Sequence, residues 1–149
     1  MYFEDFPVGF RFEHGSRTLT RAAIIDYARQ WDPQPFHVDE EAARASPYGG
    51  LIASGWHTLG EAFNLILEAV DWSKCSMGSP GIDEVRWLRP VRPGDSLHIT
   101  GEVLSARASA SKPDRGFANI RYEIFNQHDE KVAGYIGIHM LRCRPAADG

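Results

Sequence analysis

Ser54-Gly55-Trp56-His57-Thr58-Leu59-Gly60-Glu61-Ala62-Phe63-Asn64-Leu65-Ile66-Leu67-Glu68-Ala69-Val70 carries the strongest helical periodicity in the chain. Leu59, Phe63, Ile66, Leu67 and Val70 recur at three- and four-residue steps, and Trp56 and Ala62 widen the apolar face. The spacing predicts one long, mostly buried helix over 54–70. Glu61, Asn64 and Glu68 interrupt the apolar run, so the segment is not expected to span a bilayer.

Beyond the break at Ser76-Met77-Gly78-Ser79-Pro80-Gly81 the pattern turns to period two. Strands are predicted over 82–88, 96–106, 118–126 and 131–141. Leu97, Ile99, Gly101 and Val103 share one face of the second; Ile120, Tyr122 and Ile124 share one face of the third. Segment 89–95 is a turn-rich connection, and 111–116 and 127–130 read as hairpin connections. Upstream, 10–14 alternates like a half-buried strand. Thr20 sits at the N-cap of a helix that should end near Gln30, because Asp32-Pro33 blocks its continuation. A short helix over 39–45 with an acidic first turn and a loop over 47–50 follow. A long buried helix followed by antiparallel strands gives an α+β fold with helices on one face of the sheet. Sheet edges need cover, and a homodimer or a dimer of dimers would supply it.

A length of 149 residues fits one domain, expected over 1–149. The net charge of −4 offers no bulk attraction for nucleic acid. Cys75 and Cys143 show neither CxxC nor zinc-like spacing. They read as reduced, buried or half-buried thiols of a cytoplasmic protein. The N-terminus lacks a basic region and a long apolar run, so no signal peptide is expected.

Asp32-Pro33-Gln34-Pro35-Phe36-His37 holds the clearest chemistry. A carboxylate and an imidazole lie five residues apart. The two prolines stiffen the backbone between them and push Asp32 and Gln34 toward extended geometry. An acid and a base on a rigid, non-helical turn can aim at one small molecule, such as a water. The plainer alternative is a turn-capping Asp32 and a structural His37. Asp32, His37 and Asp39 include metal-ligand types, but their spacing matches no metal motif, and no metal or other cofactor is expected. The 78–81 turn lacks the strand-to-helix order of a phosphate loop. Ile52-Ala53-Ser54-Gly55 is no nucleophile elbow, so Ser54 reads as an N-cap. His57, two residues from Gly55, points to a different side of the helix. His14, His98, His128 and His139 carry surface or packing roles by default.

These residues resemble the MaoC-like dehydratases, the (R)-specific enoyl-CoA hydratase group. The resemblance rests on Asp32-x-x-Pro35-x-His37, Ala45, Gly49, Ser54-Gly55 and Arg89-Pro90-Val91-x-Pro93-Gly94-Asp95, and spans 6–141. It implies a hotdog fold, an antiparallel sheet wrapped around the 54–70 helix. It also implies a homodimer and an acyl thioester of coenzyme A or an acyl carrier as substrate. The implied reaction is reversible addition of water to a trans-2-enoyl thioester, giving an (R)-3-hydroxyacyl product. Asp32 and His37 take the roles that act on the water, and the Gly55 N–H takes the role that binds the thioester oxygen. Asp32 is the expected primary base and His37 orients the water; the reverse assignment stays open. Gln34, Phe36, Ser54 and Trp56 are the expected substrate-binding residues. Trp56, Trp87 and Phe36 line an acyl channel or belong to the core. Arg86, Arg89 and Arg92 contact phosphates or form a solvated edge. The family's usual glycine before the acid is Trp31 here, which would narrow the tunnel. Its Asn is Gln34, its aliphatic residue is Phe36, and a helix Ser of some members is Gly60. Thioester hydrolysis and a non-catalytic acyl-binding subunit are the competing functions.

Overall fold

The computed structural model of the protein describes residues 1–147, so the last two positions of the domain expected over 1–149 lie outside the described residues. The elements run β1 (Arg11–Thr18), α1 (Arg21–Trp31), α2 (Pro35–Val38), α3 (Glu40–Ala45), α4 (Gly55–Ala69), β2 (Gly81–Trp87), β3 (Ser96–Ala108), β4 (Arg115–Phe125) and β5 (Lys131–Arg142). The five strands form one sheet in the order β1-β3-β4-β5-β2. Every pairing is antiparallel. The α+β expectation therefore holds.

Alternation in β3 and β4 fixes which face meets the helix. Leu97, Ile99 and Val103 are buried, as are Ala118, Ile120, Tyr122 and Ile124. The register places Ile99 opposite Ile124 and Val103 opposite Ile120, so the buried residues meet in cross-strand pairs. Leu59, Ala62, Leu65 and Ile66 of α4 pack into the same core. Trp72, just beyond α4, stacks on Phe6 on one side of this core, at 5.1 Å between ring centroids.

Several boundaries differ from the sequence expectation. β1 runs to Thr18 instead of 14, because it pairs along β3 as far as Ser96. β3 and β4 extend their hairpin to the pair Ala108 and Gly116. α4 matches the expected span, with Ser54 and Val70 as its caps. It is less buried than its apolar count suggested: Trp56, Phe63 and Leu67 are 57%, 49% and 47% exposed. Those three lie along one face of the helix, with Trp56 against Trp87 at the edge strand β2. Cys75 is buried and Cys143 half-buried, and both are free thiols. Among the described residues no helix is long and apolar enough to cross a membrane.

Candidate active site

Thr20 accepts a hydrogen bond from the Ala23 N–H and starts α1. The helix ends one residue later than expected, at Trp31, and the Asp32 N–H closes it on the Ala28 carbonyl. Pro33 and Pro35 keep Asp32 and Gln34 out of helical geometry, as their ψ values of 68° and 144° record. Pro35 then opens α2 as its first residue, where a missing N–H costs nothing. His37 therefore sits on a single helical turn, which corrects the expectation of a wholly non-helical segment. Asp39 caps α3 through bonds from the Glu41 and Ala42 N–H groups. Its carboxylate is thus committed to the backbone, not to a shared site with Asp32.

The acid and the imidazole converge. His37 Nε2 lies 3.2 Å from Asp32 Oδ2. His37 Nδ1 lies 2.7 Å from the Ile52 carbonyl oxygen, and the ring is buried. A carbonyl only accepts, so Nδ1 carries a proton. When the ring carries a second proton, Nε2–H donates to Asp32 Oδ2. The carboxylate is held from both sides: Gln34 Nε2–H donates to Oδ1 at 2.7 Å and the Ser54 hydroxyl donates to Oδ2 at 2.7 Å. Burial alone would raise the Asp32 pKa. The bonds from Gln34 and Ser54 and the charge of protonated His37 outweigh it and hold the carboxyl below its ordinary value.

Ser54 occupies the N-cap position, but its side chain makes no bond to the helix backbone. The capping expectation is corrected: the hydroxyl is spent on Asp32 instead. Gly55 is the first residue of α4, so its N–H has no intrahelical acceptor. A side chain there would not fit, since a Cβ would lie 2.4 Å from Trp87 Nε1. Only glycine lets the indole lie against this helix end.

Asp32, Gln34, Phe36, His37, Gly55 and Trp56 line one cavity of about 500 Å³, with Trp87, Leu88, Arg89 and Thr58 among its other walls. Phe36 meets Tyr48 at 5.3 Å and Trp56 meets Trp87 edge-on at 5.4 Å, so aromatic pairs frame two sides. Six of the seven expected site residues line this space. The seventh, Ser54, is buried behind it and bonds Asp32.

Other expectations fare differently. Trp31 is 67% exposed and is not among the residues that line the cavity, so it does not narrow it. Arg89 reaches the cavity rim but ion-pairs with Glu130 at 2.9 Å. Arg86 bonds the Val85 carbonyl, and Arg92 ties the carbonyls of Tyr48 and Gly50. His57 is buried away from the cavity, stacked on Tyr27 at 4.5 Å. Sequence reasoning missed the Ile52 carbonyl, the Ser54 bond, Thr58, Tyr48 and Leu88. Thr58 alone had a local signal, standing one helical turn after Gly55.

The MaoC-like domain family matches residues 7–120. YdeM of Bacillus subtilis, an uncharacterized protein, is 30% identical over 132 residues, covering 89% of this chain and 92% of its own. The 3-hydroxybutyryl-CoA dehydratase of Methylorubrum extorquens is 30% identical, over 69% of this chain and 64% of its own. The chain spans less than half the length of two other curated relatives. The crystal structure of a MaoC-like dehydratase from Rhodospirillum rubrum is 38% identical, with a TM-score of 0.91 over 98% of this chain and 99% of that one. A Mycobacterium tuberculosis protein with a double hotdog fold, 21% identical, superposes over all of this chain and 46% of its own with a TM-score of 0.81. The fold is the hotdog fold.

Proposed function

Because the chain belongs to the MaoC-like dehydratase family, we propose that it catalyses reversible hydration of a trans-2-enoyl thioester to a 3-hydroxyacyl thioester of (R) configuration. The 3.2 Å approach of His37 Nε2 to Asp32 Oδ2, in a cavity that also holds Gly55, is the observation that carries this reading.

Water must add hydroxyl at C3 and a proton at C2. Both transfers fall to groups on one side of the cavity, which suits delivery to one face of the double bond. The bond from His37 Nδ1 to Ile52 leaves Nε2, beside Asp32, as the ring nitrogen that can exchange a proton with water. Both Asp32 oxygens already accept hydrogen bonds, from Gln34 and Ser54, which hold the carboxyl below its ordinary value. The geometry thus favours the reverse of the expected division of labour. His37 Nε2 takes the proton from water, and Asp32 orients that water and stabilises the imidazolium formed. The same Nε2–H then protonates C2. Negative charge builds meanwhile on the thioester oxygen. The unpaired Gly55 N–H, at the positive end of α4, is the donor for it. One such donor is worth about 2.7–4 kcal/mol in the transition state.

The aromatic walls from Phe36, Trp56 and Trp87 suit an acyl chain. We also propose a homodimer. Trp56, Phe63 and Leu67 on α4 and Ile82, Trp87 and Leu88 around β2 leave a concentration of exposed apolar side chains that a second copy would cover.

The test is to mix the protein with crotonyl-CoA and follow enoyl absorbance and free thiol together. Loss of absorbance without thiol is the expected result. Thiol release would replace the lyase with a thioesterase, and binding with neither change would indicate an acyl-binding subunit.

A further inference from the structure

The Trp87 indole lines the same cavity as Asp32, His37 and Gly55. It comes from the last residue of β2, at the edge of the sheet, and lies against the first residue of α4. A Cβ on Gly55 would stand 2.4 Å from Trp87 Nε1, 2.5 Å from Cε2 and 2.9 Å from Cδ1. An approach along the indole N–H bond would leave both carbons much farther off than the nitrogen. The near-equal distances place Gly55 under the face of the five-membered ring, beside Nε1. The N–H lies in the plane of that ring, so it runs across the end of α4 and not into it. Trp56 meets the ring edge-on, with centroids 5.4 Å apart and planes at 76°, and fixes its tilt.

An indole nitrogen can only donate. Trp72 gives its N–H to the Ile66 carbonyl at 2.8 Å, whereas no described residue accepts from the N–H of Trp87. Trp87 is 46% exposed, so a ligand in the cavity can reach the ring. The Gly55 nitrogen is about 2.5 Å from its own Cβ position by bond lengths, so the two nitrogens are at most about 5 Å apart. Donors to a developing oxyanion act at about 2.7–3.1 Å. One oxygen can therefore sit within reach of both N–H groups.

We infer that the Trp87 Nε1–H is a second donor to the thioester oxygen, and that with the Gly55 N–H it makes a two-donor oxyanion site. This assignment rests on the thioester reading above. It gives Trp87 a task beyond that of an apolar wall: the rings face the acyl group while the polar edge holds the oxygen. A wall alone needs no N–H, and phenylalanine would serve as well.

Butyryl-CoA has no double bond to hydrate. Isotope-labelled at the carbonyl, it reports hydrogen bonding to the thioester oxygen through its C=O stretch in difference infrared spectra. Binding to the wild-type protein should move that band to lower frequency. Trp87→Phe, which keeps an aromatic wall, should return about half of the shift, since one of two donors remains. Benzothienylalanine at position 87 puts sulfur where the N–H stands and keeps the two-ring shape; it should lose the same part of the shift. With crotonyl-CoA, either replacement should lower kcat about 10²-fold, the effect of one oxyanion donor, with KM and denaturant unfolding nearly unchanged. A full carbonyl shift in both replacements would overturn the assignment. So would an effect confined to KM, which would leave Trp87 as a wall alone, or a wild-type complex with no carbonyl shift. If crotonyl-CoA is not hydrated while the carbonyl shift still depends on the Trp87 N–H, the lyase reading fails and the donor assignment stands.

Discussion

Ser54 contributes a hydroxyl to Asp32 at 2.7 Å, and Gln34 contributes an amide to the other carboxylate oxygen at the same distance. A hydrogen bond to a charged group is worth roughly 1.5–3 kcal/mol, and both favour the ionised acid. Ser54→Ala should therefore raise the Asp32 pKa toward its ordinary value and slow hydration. Unchanged turnover of crotonyl-CoA by the folded variant would remove Ser54 from the machinery. Gly55 gives a second test. Gly55→Ala puts a methyl into the Trp87 indole, and such overpacking costs about 1–3 kcal/mol. In a Trp87→Ala background that penalty should vanish from denaturant unfolding; if it persists, the glycine serves something other than this close approach. Asp32 and His37 were legible because two prolines constrain the backbone within five residues. The Ile52 carbonyl that fixes the His37 tautomer is fifteen residues away, and Trp87 comes from a strand on the far edge of the sheet. Packing alone brings them to the site, and no local pattern announces such contacts.

Among the elements, α1, α2 and α3 form a series of short helices broken by Asp32-Pro33 and Asp39. Each break has a cap or a proline that accounts for it. Thr20→Ala removes the α1 cap and should cost about 1 kcal/mol in urea unfolding. Because α1 ends at the residue before Asp32, its loosening should also lower turnover; a stability loss with unchanged turnover would show that the site tolerates movement of α1. The long helix was predicted within a residue at each end, since its apolar steps persist for four turns. Its burial was overread. Phe63 and Leu67 satisfy the helical pattern yet face away from the sheet, and the pattern cannot tell a face that meets its own sheet from one left for another chain. Phe63→Glu should leave the fold intact and convert the proposed dimer to a monomer in light scattering. A wild-type protein that is already monomeric would contradict the dimer.

At the scale of the molecule, alternation gave the faces of the strands but not their neighbours. β2 follows α4 in the chain yet pairs with β5, while β1 pairs with β3. Period-two patterning says which side chains face the core; strand order depends on connections that the pattern does not encode. A titratable weak point lies against the core. His139 stacks on Trp72 at 4.9 Å and meets the Tyr122 hydroxyl at 2.8 Å. Burial pushes its pKa down to about 4, from 6.5 in an unfolded chain. Between those values the unfolded chain takes up a proton that the folded protein refuses. Stability should therefore be full above pH 6.5 and fall as pH drops toward 4, by ~3 kcal/mol in total. His139→Gln should flatten this part of the pH dependence in denaturant titrations; an equal slope in both proteins would place the effect elsewhere. The carboxylates held low by their partners, Asp32 among them, titrate below this window.

The coupling of one imidazole and one carboxylate to one water is tested most directly by turnover of crotonyl-CoA in Asp32→Asn and His37→Ala. The two variants should show wild-type thermal unfolding with hydration slowed roughly 10²–10⁴-fold. A near-normal rate in either folded variant would contradict the mechanism.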